Sequence, residues 1–216
     1  MKHLFTIVAL FFTISQFSAQ TKGKLTYTMD FSSDNPEMAM AVGMMEGSSL
    51  ELSFIPEKTR ASVQMGAFVK LNTITDSKAQ KSLVLMDAMG SKTATFVDLK
   101  KVAEKKTVFS SIKPTAETKT IAGLKCTKTL LKDEYGVDYT VWSTKDIKVS
   151  TKGIEQLNQF PVDGVPVEFT LNSNEMNIHF LTTKFEKVVD ENQFGMDIPE
   201  GYKEISQEEL EAMGQM

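Results

Sequence analysis

The sequence predicts a mainly β (α+β) fold, a strongly curved antiparallel sheet or half-open barrel with helices packed on its concave side. Three observations lead there. Segments of clean period-two alternation recur along most of the chain. Short turns rich in Gly, Pro, Asp, Asn and Ser separate them. Helical patterning is confined to a few short stretches. Alternation of apolar and polar residues marks half-buried antiparallel strands, and many such strands with few helices indicate an all-β or α+β architecture.

The elements follow in order. Lys24 to Phe31 sets Leu25, Tyr27, Met29 and Phe31 on one face against Lys24, Thr26, Thr28 and Asp30 on the other. Pro36 to Met45 reads as a helix, with Asp34 or Asn35 as cap, Pro36 in its first turn and Gly47 at its end. Leu50–Phe54, Thr59–Met65, Ala67–Thr75, Lys81–Met89 and Thr93–Val97 read as strands. Asp98–Lys105 is a charged helical or loop segment, and Phe109–Thr120, polar with Pro114, reads as an internal linker. Leu124–Lys132 and Val137–Trp142 form a hairpin around Asp133-Glu134-Tyr135-Gly136. Lys152–Asn158 suggests a turn of helix. Val165–Leu171 and Glu175–Lys187 pair around Asn172-Ser173-Asn174, and a change of apolar face from Phe180 to Leu181 predicts a bulge. Ser206 and Glu209 have capping-box spacing ahead of a helical tail.

The amino terminus has a different character. Met1-Lys2-His3 is basic, Leu4–Ile14 is almost wholly apolar, and Ser15–Ala19 turns small and polar. That order predicts a secretory signal peptide over residues 1–19, cleaved after Ala19. Residues 20–216 then form one domain, read as a soluble periplasmic or secreted protein with no lipoprotein cysteine at the cut and no transmembrane segment. The formal net charge of −4 is spread along the chain, with no basic footprint for nucleic acid.

The chemical inventory is sparse. Cys126 is the single cysteine, so an internal disulfide is impossible. It is either a reactive thiol or a small buried hydrophobe, and its alternation with Leu124 and Leu130 favours the second. His179 is the single histidine after cleavage, and it alternates with Met176, Ile178 and Phe180, which places it on the wet face. No Gly-rich phosphate loop, G-x-S-x-G elbow or Cys/His metal spacing is present, so neither cofactor nor metal is expected. A carboxylate pair for hydrolysis could still assemble in space from residues such as Asp87, Asp133, Glu134 and Asp138.

The methionines stand out. Met38, Met40, Met44 and Met45 fall within eight residues. They read as a core helix, as an adaptable apolar lid, or as soft thioether ligands for Cu(I).

Five stretches carry a resemblance: Gly23–Met29, Ile121–Lys128, Tyr139–Ile147, Gly164–Phe169 and Phe194–Tyr202. Together they resemble an uncharacterised exported Bacteroidetes domain-of-unknown-function family, similar in architecture to the LolA-like and LppX-like lipoprotein carriers. The resemblance implies a half-open barrel plugged by helices, with a hydrophobic cavity between, and carries no catalytic residues. Known carriers of that architecture hold acyl chains or lipids.

The reading is therefore a non-catalytic exported binding protein for a lipid or lipoprotein acyl chain. Leu25, Tyr27, Met29, Leu52 and Phe54 would line an apolar cavity, with Met38, Met40, Met44 and Met45 as lid. The alternative is a structural or interaction module of the cell envelope, with a protein partner and no small ligand. A hydrolase is third.

Overall fold

The computed structural model describes residues 19–101, 107–151, 153–173 and 176–213. The signal peptide predicted over residues 1–19 lies, apart from Ala19, outside the described residues, as do the second half of Asp98–Lys105 and part of the Asn172–Asn174 turn. The described residues build one unclosed mixed sheet of twelve strands. These are β1 (Gly23–Ser32), β2 (Ser49–Ile55), β3 (Lys58–Met65), β4 (Val69–Asp76), β5 (Lys81–Ala88), β6 (Ser91–Asp98), β7 (Phe109–Ile121), β8 (Leu124–Asp133), β9 (Asp138–Thr144), β10 (Val165–Ser173), β11 (Met176–Glu186) and β12 (Lys203–Glu204). Their spatial order is β12-β6-β5-β4-β3-β2-β1-β11-β10-β9-β8-β7. Two antiparallel meanders are thus joined by the pairing of β1 with β11, and β12 adds a parallel edge to β6.

Most sequence-predicted strands appear within a residue or two of their expected bounds. Phe109–Thr120 is a correction: it is no linker but most of β7, the edge strand of the second meander. Most of its side chains are exposed, so burial imposes no apolar alternation on it. An edge strand also tolerates Pro114, which lies where the pairing with β8 shifts register. The bulge in β11 is present: Tyr27 pairs with Thr182 and Thr26 with Lys184, leaving Thr183 extra, and its hydroxyl donates to the Thr26 carbonyl at 3.2 Å.

The helices are α1 (Ala39–Met44), entered through a 3-10 turn (Pro36–Met38), α2 (Glu155–Asn158) and α3 (Gln207–Met213). The Asn35 side chain accepts from the Glu37 amide at 3.0 Å, fixing the first turn. The tail has the predicted box: the Ser206 amide donates to Glu209 Oε2 at 2.8 Å, and the Glu209 amide to Ser206 Oγ at 3.1 Å.

Register decides which residues meet. Leu25 lies opposite Leu52 and Phe185, and Tyr27 opposite Leu50. These pack with Val141, Val165, Val167, Phe169 and Phe180 into the main core. The β9–β10 connection, residues 145–164, adds Ile147, Ile154, Leu157 and Phe160 to it. A smaller cluster of Ile74, Leu83, Leu85 and Ala94 occupies the other face of β4–β6 and is covered by Met196, Ile198 and Tyr202. Apolar area removed from water at this scale is the main stabilising term, at about 25 cal/mol per Å².

Candidate functional site

The antiparallel register gives the sheet two different ends. One end carries the turns at 56–57, 77–80 and 122–123 and the base of the 145–164 connection. The other carries the β1–β2 connection (33–48), the turns at 66–68, 89–90 and 134–137, and the start of β7.

The first end is covered. A Cβ placed on Gly153 would lie 3.2 Å from Thr75 Oγ1 and 3.4 Å from Ser82 Oγ, so the connection roofs β4 and β5. Beneath it the Thr75 and Ser82 hydroxyls bond each other at 2.7 Å, which satisfies two groups that are 1% and 2% exposed.

The second end is bare. Met40, Met44, Phe68, Met89, Val108, Tyr135 and Val137 are exposed there, whereas Val188 and Phe96, the latter two residues before the end of β6, are exposed towards the first end. These tips are tied to each other. The Met44 carbonyl sits against Gly66, where an added Cβ would approach it to 2.1 Å. Ser48 Oγ accepts from the Gly66 amide at 2.9 Å and donates to the Met45 carbonyl at 2.6 Å. The Met89 amide donates to the Phe68 carbonyl at 3.0 Å, and the Glu134 amide to the Val108 carbonyl at 3.1 Å.

The sequence-derived site residues divide between these settings. Leu25, Tyr27, Leu52 and Phe54 are fully buried and Met29 nearly so, all in the packed core. Met38 and Met45 are half-buried, Met40 and Met44 are exposed, and no residue of α1 is buried. Between the packed core and the bare end a registered row crosses six strands: Tyr27, Leu50, Val63, Leu71, Met86 and Thr93. The row is sealed at Tyr27 and Leu50 and half-buried from Val63 to Thr93. Phe31, Leu171 and Ile178 are half-buried towards the same end. Sequence reasoning did not select Val63, Leu71, Met86 or Ile178, because alternation gives a face but not which part of it is covered. Among the described residues, the buried hydroxyls of Thr59 and Thr93 on this face have no hydrogen-bond partner.

The reactive-group candidates take other roles. Cys126 is fully buried, and burial pushes its thiol up to about 11. Leu130, expected on the same covered face, is exposed, because burial changes face between Cys126 and Thr129. Burial also raises the Tyr27 phenol, whose hydroxyl donates to the Pro166 carbonyl at 2.8 Å. His179 is partly exposed, with Nε2 3.9 Å from Glu168 Oε1. Glu168 also pairs with Lys119, whose ammonium lies 4.3 Å from the Trp142 ring centroid. Asp133 is buried and accepts from the Tyr135 and Val137 amides at 2.9 and 2.8 Å and from the Tyr139 hydroxyl at 3.1 Å, which builds the β8–β9 turn. Asp87 accepts from the Gly90 amide at 3.0 Å, and Asp138 pairs with Lys132 at 3.2 Å. No group of three or more His, Cys, Asp or Glu able to hold a metal ion occurs among the described residues. No helix among them is long and apolar enough to cross a membrane.

No family model matches the chain, and no curated protein matches it. Among solved structures it is similar to "Structure of PNGF-II in C2 space group", at 13% identity and a TM-score of 0.46. That likeness covers 89% of this chain and 32% of the other, so the chain spans about a third of that protein's length.

Proposed function

We propose that the chain is an exported, non-catalytic binding protein for an amphipathic ligand, a lipid or a lipoprotein acyl chain, held on the core face beside α1. The observation that carries this reading is the row Val63, Leu71, Met86 and Thr93: largely apolar side chains on the core face that stay half-buried where Tyr27 and Leu50 are sealed. Ligand sites combine such apolar lining with few polar groups.

Chain length supports the half-open barrel of this reading. Ten strand steps separate β6 from β7, roughly 48 Å in a flat sheet. The stretch from Asp98 to Phe109 that joins them reaches about 40 Å at full extension, and it must also run the length of a strand. Curvature brings the two edges within reach. Leu157 of α2 then lies on the concave side as part of the plug, and Met38–Met45 stands at the rim as a lid. The signal-like amino terminus and the resemblance to exported carriers support a location in the periplasm or outside the cell.

Titration with a fluorescent fatty acid tests the reading. Saturable uptake is expected, weakened at least tenfold in a folded Leu71→Asn, Met86→Asn variant. A wild-type protein that takes up no probe, or a variant that binds as well, would overturn it. The second reading, an interaction module of the envelope, is favoured by the filling of the β8–β11 face with Ile154, Leu157 and Phe160. It predicts no uptake and a protein partner instead.

A further inference from the structure

We propose that the loop tips at the bare end seat the protein on a zwitterionic lipid bilayer. The inference concerns the tips and not the interior, so it stands apart from the ligand reading. Met89 is its strongest element. Met89 and Gly90 form a two-residue hairpin turn with φ of 53° and 90°. Such a turn needs left-handed backbone at both positions and favours Asn-Gly or Asp-Gly. A methionine there is strained, and 83% of it is exposed, so packing does not repay the strain. The left-handed positions at the covered end are held instead by Glu57, Gln80 and Ala122. A large apolar side chain set on strained backbone at the bare end, with no burial to offset it, points to a role outside the fold.

The other tips agree. The Phe68 carbonyl accepts from the Met89 amide, and the Met44 carbonyl sits against Gly66 in the 66–68 turn. Tyr135, 86% exposed, projects from the opposite meander, and tyrosine suits the headgroup layer of a bilayer. The side chains rise from separate turns with glycines and charges between them. A bilayer accepts such scattered insertions without matched shape, whereas a protein partner needs one complementary patch. Charge selects the lipid. Asp34, Glu37, Glu46 and Glu134 stand near these tips against Lys70 and Lys92. Among the described residues the end is net acidic, so insertion is apolar and anionic headgroups add nothing.

Co-sedimentation with phosphatidylcholine vesicles is the test, using the chain from residue 20 stripped of bound lipid. The wild type should sediment with the vesicles, independently of salt, and gain nothing from added phosphatidylglycerol. Met89→Asn combined with Phe68→Ser should lower partitioning at least tenfold. Met89→Asn alone should unfold at the same or higher denaturant concentration, which separates lost docking from lost fold. Val188→Ser, an exposed site near the other end, should change nothing. Wild-type protein left in the supernatant would overturn the proposal. So would binding that appears only with phosphatidylglycerol and vanishes in salt, an equal loss in Val188→Ser, or tips that pair two copies in sedimentation velocity without touching vesicles.

Discussion

The two ends of this sheet are made of similar strands and finished differently. At one end the chain returns over the strands: residues 145–164 place Ile154, Leu157 and Phe160 in the core, and Met196, Ile198 and Tyr202 cover the reverse face of β4–β6. The turns there hold Glu57, Gln80 and Lys78. At the other end the 33–48 connection meets only the 66–68 turn and buries no residue of α1, and the turns hold Phe68, Met89 and Tyr135. The difference teaches where stability and function separate. The covered end supplies the packing that holds the fold, so the bare end can keep apolar groups in water, where they are free to meet something else.

That contrast can be broken first by truncation. Phe169 is 1% exposed and stacks on Phe180 at 4.7 Å. Phe169→Ala should cost about 3–5 kcal/mol in urea unfolding, from lost transfer energy and the cavity left behind. Met40→Ser with Met44→Ser should stay within about 0.5 kcal/mol per site, as exposed positions do, yet speed release of a bound fatty acid. Equal costs at the two places would erase the distinction. Strong Cu(I) binding lost in the same methionine variant would favour the thioether reading.

Glycines sharpen it further. Gly164 has φ of +97°, and an added Cβ would lie 2.2 Å from the Thr144 carbonyl oxygen, where residues 145–164 rejoin the sheet. Gly164→Ala should therefore lose about 3 kcal/mol or more, since backbone must move as well as strain. Gly90→Ala, with φ of +90° and nothing within 4 Å, should lose about 1 kcal/mol.

Alkaline titration probes the covered core. The Cys126 thiol rises through burial from 9.0 to about 11, so the folded state holds its proton longer than the unfolded chain does. Stability is complete below about pH 9 and falls as pH rises from 9 towards 11, by up to about 1.4 kcal/mol per unit for this group. Cys126→Ala should flatten that fall, and native labelling of the thiol near pH 7 should be slow. A small effect is also expected at the bare end: Asp138→Asn, which breaks an exposed pair with Lys132, should change stability by less than about 1 kcal/mol.

Much of the fold was legible because its signals are local. Leu25, Tyr27 and Met29 announce a half-buried strand by alternation alone, and Ser206 with Glu209 announces a cap. The shift of apolar residues from Phe180 to Leu181 and Phe185 announced a bulge, which lies slightly later, at Thr183. β7 was illegible because an exposed edge carries no apolar period, and β12 because two residues carry none. Of the candidate site, the sequence yielded the core face and the methionine segment. It could not show that Leu25 and Phe54 lie under packing while Leu71 and Met86 do not. That depends on where residues 145–164 come to rest, and those residues are distant in sequence from the row they leave half-covered.

Photo-crosslinking with a fatty acid carrying a terminal diazirine tests the central claim most directly, since it reports where an acyl chain lies. Labelled peptides should contain Phe31, Leu71, Met86 or Ile178, together with the Met38–Met45 segment, and excess unlabelled fatty acid should suppress them. Absence of labelling, labelling that competitor leaves unchanged, or adducts concentrated around Lys119 and Trp142 on the outer face would contradict an acyl-chain site at the bare end.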